Sequence, residues 1–152
     1  MSRTQLFDRL LLLTSLLEED QARELAAVGL TRRHAHLLWL IQREGPLRQR
    51  DLAEQMEITP RHVTTLVDEL IESALVRRTP HPDDRRAVLV SLTDQGASLM
   101  ASMVADHDQL SIALTQGWND AEVDDLREHI EAIIGRFTAL VERAAAAREA
   151  ES

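Results

Sequence analysis

The segment from residue 58 to residue 92 constrains the fold most, because it joins a helix with a single apolar face to two short strands. Thr59 is a favourable N-cap and Pro60 suits the first helical position, so we expect a helix from residue 60 to about residue 74. Its apolar residues recur every three or four positions, which places them on one face. These residues are Val63, Leu66, Val67, Leu70, Ile71 and Ala74.

The residues after this helix have the pattern of a β-hairpin. Residues 75–79 (LVRRT) predict one strand, residues 80–84 a turn, and residues 87–92 (AVLVSL) a second strand. In the second strand Val88, Val90 and Leu92 alternate with other residues and therefore share one face.

Two helices are expected before this segment and one directly after it. Thr31 can cap a helix that ends at residues 45–46 (Gly-Pro), and a short helix follows around Leu52. Thr93 can cap a long helix that continues to about Leu114, before residues 117–118 (Gly-Trp). A short helix, a turn, a one-sided helix and a hairpin form the order of a winged helix-turn-helix. We therefore predict a mainly α fold with a small β-hairpin wing.

The two ends of the chain carry long apolar stripes. Leu6, Leu10, Leu13 and Leu17 recur at helical spacing, and a second stripe runs from Val123 to Leu140 behind a possible cap at residues 119–120. Both carry more apolar surface than one small core needs, which predicts a homodimer. An intramolecular helix bundle is the alternative. The predicted organisation is one domain (1–152), with dimerisation helices at 1–28 and 118–148, a winged-helix lobe at 31–93 and a connecting helix at 93–116.

The net charge of −9 does not exclude nucleic acid as a partner, because the excess acid lies in the last third of the chain. Residues 94–152 hold 4 basic and 12 acidic side chains, a sum of −8, whereas residues 77–86 hold four arginines against two aspartates. A local cationic surface is therefore compatible with the acidic total.

Composition excludes several classes of function. The chain has no cysteine, so disulfides, thiolate metal sites and a cysteine nucleophile are excluded. It has no tyrosine and few aromatic residues, so an aromatic platform for single strands is not expected. We find no signal-peptide cleavage pattern and no apolar run long enough for a membrane span, and we expect a soluble, cytoplasmic protein.

The polar face of the helix at 60–74 is the candidate recognition surface. Arg61 and Thr65 lie opposite the apolar stripe in the N-terminal half, where a recognition helix reaches base edges. An arginine fork can pair with guanine, and a threonine can donate, accept or offer a methyl group. His62 and Thr64 lie beside them. A face that is merely solvated is the alternative interpretation of this helix.

The turn between the strands is a candidate minor-groove contact. Arg85 and Arg86 lie at the predicted hairpin tip, and arginine is favoured in a narrow minor groove by its negative potential. Asp84 could form a salt bridge to an arginine across the hairpin and fix the shape of the wing. Asp83, after a proline, is interpreted as a turn former. A hairpin tip that is only solvated stays open as an alternative.

These motifs resemble a known family. ITPRHVTTLVDELIESALVRR (58–78) and HPDDRRAVLVSLTDQG (81–96) look like the recognition helix and wing of the MarR-type (multiple antibiotic resistance regulator) transcription factors, and LRQRDLAEQM (47–56) resembles the preceding helix. The most specific match is residues 84–86 (Asp-Arg-Arg), with residues 92–93 (Leu-Thr) and Gly96 at the right distance. Helix order and length fit over about residues 5–145.

The resemblance implies a homodimer joined by its terminal helices that binds a pseudo-palindromic operator as a repressor or, less often, an activator. It assigns Arg86 to the minor groove and Asp84 as its structural partner. It also implies a small-molecule effector in a crevice between the dimer helices and the DNA-binding lobe. The predicted DNA-binding residues are Thr59, Arg61, His62, Thr64, Thr65, Arg85 and Arg86.

Three positions depart from the family pattern. Ala74 stands where glycine usually ends the recognition helix in a left-handed conformation, so strain or a different helix end is expected. Glu69 stands where a basic residue is common, which predicts one phosphate contact fewer. Arg48 stands where serine or threonine often caps the preceding helix.

The remaining residues give weaker signals. Trp39, in a leucine-rich helix, is expected in the core, with an effector crevice as the alternative. His34 and His36 are two positions apart and point to different faces, so no metal site is predicted. No cofactor motif and no nucleophile–base pair is found, and we do not expect an enzyme. A winged-helix module that binds protein instead of DNA, and a helical dimer with a catalytic crevice, stay open as alternatives.

Overall fold

The structure, a computed structural model, describes residues 2–81 and 87–150, and the chain divides into two compact units, residues 1–104 and 105–152. The elements, in chain order, are α1 (Arg3–Ala27), α2 (Arg32–Glu44), β1 (Leu47–Arg48), α3 (Gln49–Gln55), α4 (Pro60–Glu72), β2 (Val76–Pro80), β3 (Val88–Leu92), α5 (Asp94–Leu114) and α6 (Asp120–Ala150). This order confirms the predicted winged helix-turn-helix fold.

The helices begin where the sequence predicted caps. The Thr31 and Thr59 hydroxyls each accept the N–H of the residue three positions on, and Pro60 is the first residue of α4. The Thr93 hydroxyl accepts the Gly96 N–H at 3.0 Å at the start of α5. Asn119 accepts from Glu122 before α6. Each bond satisfies an N–H group that has no partner within its helix.

The predicted hairpin is present as part of a three-stranded antiparallel sheet of order β1-β3-β2. In its register Val76 pairs with Leu92 and Pro80 with Val88, so Pro80 belongs to the strand and not to the predicted turn. Leu47 of β1 pairs with Val90. Strand β1 was not predicted, because two residues are too few to establish an alternating pattern.

The core of the first unit forms around the apolar stripe of α4. Val63, Leu66, Val67 and Leu70 are all buried, as predicted. They pack in one cluster with apolar residues of the neighbouring helices and strands, including Leu37, Leu38, Leu52, Val76, Val90 and Met100. One expectation for the apolar face of α4 is wrong, because Ala74 lies beyond the helix and is exposed. In β3, Val90 is buried, whereas Val88 is 45% exposed.

The end of α4 is held against the start of α5 by contacts that involve Ala74, Leu75, Thr93 and Gly96. Ala74 has a φ of 57°, so it takes the left-handed conformation that favours glycine. Its carbonyl accepts the Thr93 hydroxyl at 2.6 Å, and the Leu75 carbonyl accepts the Thr93 N–H at 3.1 Å. A Cβ on Gly96 would lie 2.0 Å from that Leu75 carbonyl oxygen. Glycine is therefore required where α5 crosses the end of α4.

The second unit consists of the C-terminal part of α5 and helix α6. Gly117, with a φ of 86°, separates the two helices as predicted. No side chain of residues 120–148 is buried, although the predicted apolar stripe runs along this helix. Within residues 2–81 and 87–150, no helix has the length and apolar character needed to cross a membrane.

Candidate nucleic-acid interface

The exposed face of α4 is centred on Arg61 and Thr65, as predicted. The Thr65 hydroxyl donates to the Arg61 carbonyl at 3.3 Å, which leaves the hydroxyl oxygen able to accept. The Arg61 guanidinium has no hydrogen-bond or ion-pair partner among the residues that the structure describes. None of its five N–H groups is therefore used by the described part of the chain.

The N-terminal end of α4 is fixed by its own cap. The Thr59 hydroxyl oxygen accepts the His62 N–H at 3.3 Å, and the Thr59 carbonyl accepts the Val63 N–H at 3.1 Å. Because the side chain of Thr59 is used in capping, this residue sets the position of α4 at the surface where the other candidates lie.

One flank of α4 contacts the first turn of α2. The Arg33 guanidinium lies 3.0 Å from Nδ1 and 3.2 Å from Nε2 of the exposed His62 ring. About two turns further along α4, Nε2 of the buried His34 lies 2.7 Å from a carboxylate oxygen of Glu69. His34 Nδ1 accepts the Thr31 N–H at 3.2 Å, so Nε2 carries the proton and donates to Glu69. Glu69, predicted only as a missing phosphate contact, therefore links two helices.

The opposite flank contacts α3 and β2. Gln49 Nε2 donates to the Thr64 hydroxyl at 3.2 Å, and that hydroxyl donates to the Pro60 carbonyl at 3.0 Å. A guanidinium nitrogen of Arg78 lies 2.7 Å from the Asp68 carboxylate, and Arg78 Nε donates to Gln49 Oε1 at 3.4 Å. The two flanks are thus held by polar contacts, with Arg61 and Thr65 exposed between them.

Sequence inspection missed Arg33, Gln49 and Arg78 as residues of this surface. Their partners on α4 lie 29, 15 and 10 positions away in the chain, so no local spacing indicates the contacts. The only available signal was the excess of arginine in residues 77–86. Arg48 is the N-cap of α3, and its side chain makes no capping hydrogen bond, as expected where serine or threonine is replaced.

The tip of the wing lies outside the described residues. This stretch contains Arg85 and Arg86, which are predicted to contact the minor groove, and Asp84, which is predicted to stabilise the wing. The predicted turn former Asp83 belongs to it as well. Just before it, the His81 N–H donates to the Ala87 carbonyl at 3.0 Å, which extends the pairing of β2 and β3 to the tip.

Trp39 is 40% exposed, so the expectation that it belongs to the core is wrong. It lies on the outer side of α2, where it lines a crevice of about 410 Å³. The other lining residues are His36, Leu40, Gln42, Arg43 and Val104. At the end of the same helix, hydrogen bonds from Arg43 and Gln55 lower the pKa of the Glu44 carboxyl.

Comparison with known proteins gives consistent matches. The model of the MarR family matches residues 30–88, from the residue pair before α2 to the first residue of β3. The HTH-type transcriptional repressor MdtR of Bacillus subtilis is 37% identical over 68 residues, which are 45% of this chain and 44% of MdtR. The chain spans about half the length of several curated relatives that it matches.

Solved structures match over a larger share of the chain. RV1404 from Mycobacterium tuberculosis has a TM-score of 0.73 at 28% identity, covering 89% of this chain and 94% of that structure. The S. aureus MepR–DNA complex has a TM-score of 0.70, covering 83% and 95%, and its 18% identity indicates a likeness of fold. These similarities extend beyond the lobe that the family model matches.

Proposed function

We propose that this chain, which is similar to the MarR family over residues 30–88, is a sequence-specific transcriptional regulator that binds double-stranded DNA as a homodimer. The observation that carries the proposal is the guanidinium of Arg61, which has no partner among the described residues and lies on the exposed N-terminal half of α4. A recognition helix meets base edges with this part of its surface.

In the major groove, Arg61 and Thr65 are the proposed base-reading residues. A guanidinium can donate two parallel hydrogen bonds to the O6 and N7 atoms of guanine. Thr65 offers an acceptor and a methyl group, because its hydroxyl proton is directed to the Arg61 carbonyl. Thr59, His62 and Thr64 lie on the same half of α4, and we propose that they contact or orient the DNA around this pair.

In the minor groove, we propose that Arg86 enters with Arg85 beside it, and that Asp84 stabilises the shape of the wing. The support is the sequence match of this segment to the family together with the paired strands that lead to it. The negative potential of a narrow groove favours arginine at such a tip.

The homodimer is proposed from the exposed apolar side chains of the terminal helices. In α1 these are Leu6, Phe7, Leu11, Leu12, Leu13 and Leu16, and in α6 they are Val123, Leu126, Ile130, Ile133, Ile134, Phe137, Leu140 and Val141. Exposed apolar surface of this extent marks an interaction surface. We propose that a second copy of the chain covers these side chains.

We further propose that the protein is a cytoplasmic repressor whose DNA affinity responds to a small molecule. The curated relative MdtR is named as a repressor, which supports this sign of regulation. The crevice beside Trp39 is the proposed effector site, since it combines an aromatic wall with the cationic Arg43.

Selection from a random double-stranded DNA library tests the proposal. We expect one enriched sequence with two half-sites about 10 base pairs apart, as a dimer requires. The logarithm of its affinity should fall linearly and steeply with the logarithm of salt concentration. If no sequence is enriched and the affinity for DNA does not change with salt concentration, the proposal is contradicted and a protein partner is indicated.

A further inference from the structure

The charges on α4 do not suit a helix that approaches phosphate. Within Pro60–Glu72, one arginine stands against three acids: Asp68, Glu69 and Glu72. Glu69 binds His34, and Glu72 has no hydrogen-bond or ion-pair partner among the described residues. The Asp68 side chain is 52% exposed and lies one turn after Thr64. A carboxylate at this place repels the DNA phosphates. A compensating structural role for Asp68 would explain its presence.

Asp68 belongs to a closed chain of contacts that we call the Arg78 brace, formed by Asp68, Arg78, Gln49 and Thr64. Arg78 donates from a terminal nitrogen to Asp68 at 2.7 Å and from Nε to Gln49 at 3.4 Å. Gln49 in turn donates to Thr64 at 3.2 Å. The brace therefore leaves α4 at one turn, passes through β2 and α3, and returns to α4 at the neighbouring turn.

The chemistry of the brace depends on arginine at position 78. Its guanidinium donates in two fixed directions at once, which the single ammonium of lysine does not reproduce. The Arg78 side chain is 35% exposed, less than that of Asp68, which is 52% exposed. The Thr64 hydroxyl donates to Pro60 and accepts from Gln49, so its proton is not available to a base.

We propose that Arg78 is a positioning residue for DNA recognition, which fixes the strand leading to the wing against the recognition helix and does not itself neutralise a phosphate. This role rests on the proposed function, because it concerns the angle at which α4 and the wing approach one duplex. Strand β2 ends at Pro80, shortly before the tip, so the brace acts at the base of the wing. An interface that is organised before binding loses less entropy when it binds.

The sign of the effect at Asp68 separates this role from a simple charge effect. If the carboxylate only repels phosphate, Asp68→Asn strengthens operator binding. If it holds Arg78, the same substitution weakens binding, although the protein gains positive charge. Glu72→Gln is the matched control, because it removes, from the next turn of the same helix, an acid that has no partner among residues 2–81 and 87–150.

The experiment measures affinity for the operator selected by the wild-type protein, over a range of salt concentrations, by fluorescence anisotropy. We expect Asp68→Asn and Arg78→Lys each to weaken binding by roughly tenfold through lost preorganisation. The salt slope should stay at the wild-type value, and Glu72→Gln should bind as tightly as wild type or more tightly. The double variant Asp68→Asn/Arg78→Lys should lose no more than the weaker-binding single variant, because both break one brace.

Three outcomes overturn the proposal. First, Asp68→Asn could bind the operator as tightly as Glu72→Gln does. Second, the losses of affinity in Asp68→Asn and Arg78→Lys could add up in the double variant, which would mean that Asp68 and Arg78 act independently. Third, Arg78→Ala, which removes the charge and is titrated in the same way, could have a salt slope smaller than that of wild type by about one, which would make Arg78 a phosphate contact. Thermal melting verifies folding, since an exposed ion pair adds little stability. If wild type binds no DNA and Arg61→Ala changes nothing, the proposed function itself fails, and this role fails with it.

Discussion

The buried ring of His34 and the carboxylate of Glu69 join α2 to α4 through a hydrogen bond of 2.7 Å between Nε2 and Oε2. His34 is 7% exposed, and its other ring nitrogen accepts the N–H of Thr31. Both nitrogens are therefore paired, and the pairing ties the recognition helix to the N-terminal cap of its neighbour.

Replacing Glu69 tests the contribution of this pair to stability. Glu69→Ala leaves the buried Nε2–H of His34 without an acceptor, and we expect the free energy of unfolding to fall by about 1 kcal/mol. The value is modest because the Glu69 side chain is 51% exposed. Urea denaturation measures it, with Glu72→Ala as the control expected within about 0.5 kcal/mol of wild type. Equal midpoints for both variants would rule out a stabilising pair.

Position 74 offers a stabilising substitution. Ala74 has a left-handed φ of 57°, which costs an L-residue roughly 1–2 kcal/mol. Glycine removes this cost but adds entropy to the unfolded chain, so Ala74→Gly should raise the free energy of unfolding by about 0.5–1 kcal/mol.

The matched control is Ala101→Gly, at an exposed position inside α5, where glycine should lower stability by about 1 kcal/mol. Opposite signs for the two alanine-to-glycine changes, measured by thermal and urea denaturation, are the expected result. Destabilisation at both positions would mean that Ala74 bears no strain.

Gly96 should not tolerate a side chain. A Cβ there would lie 2.0 Å from the Leu75 carbonyl oxygen, which is itself fixed by the Thr93 N–H. Gly96→Ala should therefore destabilise the protein by about 3 kcal/mol. Gly135→Ala, at a helical position with open space around it, should instead gain about 1 kcal/mol. Similar melting temperatures for the two variants are incompatible with the close approach of α5 to Leu75.

In the proposed dimer, the apolar faces of the terminal helices form the contact between the two copies. Phe137 is 63% exposed within one chain, so we expect it to be covered by the second copy. Phe137→Glu should weaken the dimer by about tenfold or more, since a buried phenyl group contributes roughly 1.5–3 kcal/mol. Sedimentation velocity across a concentration series measures this. Arg136→Glu, the neighbouring charged position, is the control, and an unchanged dimer in Phe137→Glu would exclude this face.

Features encoded within a few residues were predictable from the sequence. The caps at Thr31 and Thr59 bond to N–H groups three positions away, and the stripe of α4 follows directly from helical periodicity. Gly96 was identified only through its place in a family motif, whereas its physical reason is a contact with Leu75, far from it along the chain.

Features that depend on tertiary packing were not predictable. The pairs His34–Glu69 and Arg78–Asp68 join residues 35 and 10 positions apart on different elements. Trp39 has a helical, apolar neighbourhood in sequence, yet it lies on the outer side of α2 because the buried positions are taken by the leucines around it. Local patterns indicate which face of a helix is apolar but not which polar residues meet across elements.

The central claim is that Arg61 reads a base through the exposed face of α4, and base-by-base affinity measurement tests it most directly. Wild type and Arg61→Ala are titrated, at one salt concentration, against operators that carry every single base-pair substitution in one half-site. We predict that Arg61→Ala loses about 1–3 kcal/mol on the preferred operator and becomes indifferent at one position per half-site, with the other preferences kept. If Arg61→Ala keeps the affinity and every base preference of wild type, α4 does not read the operator through Arg61, and the account is contradicted.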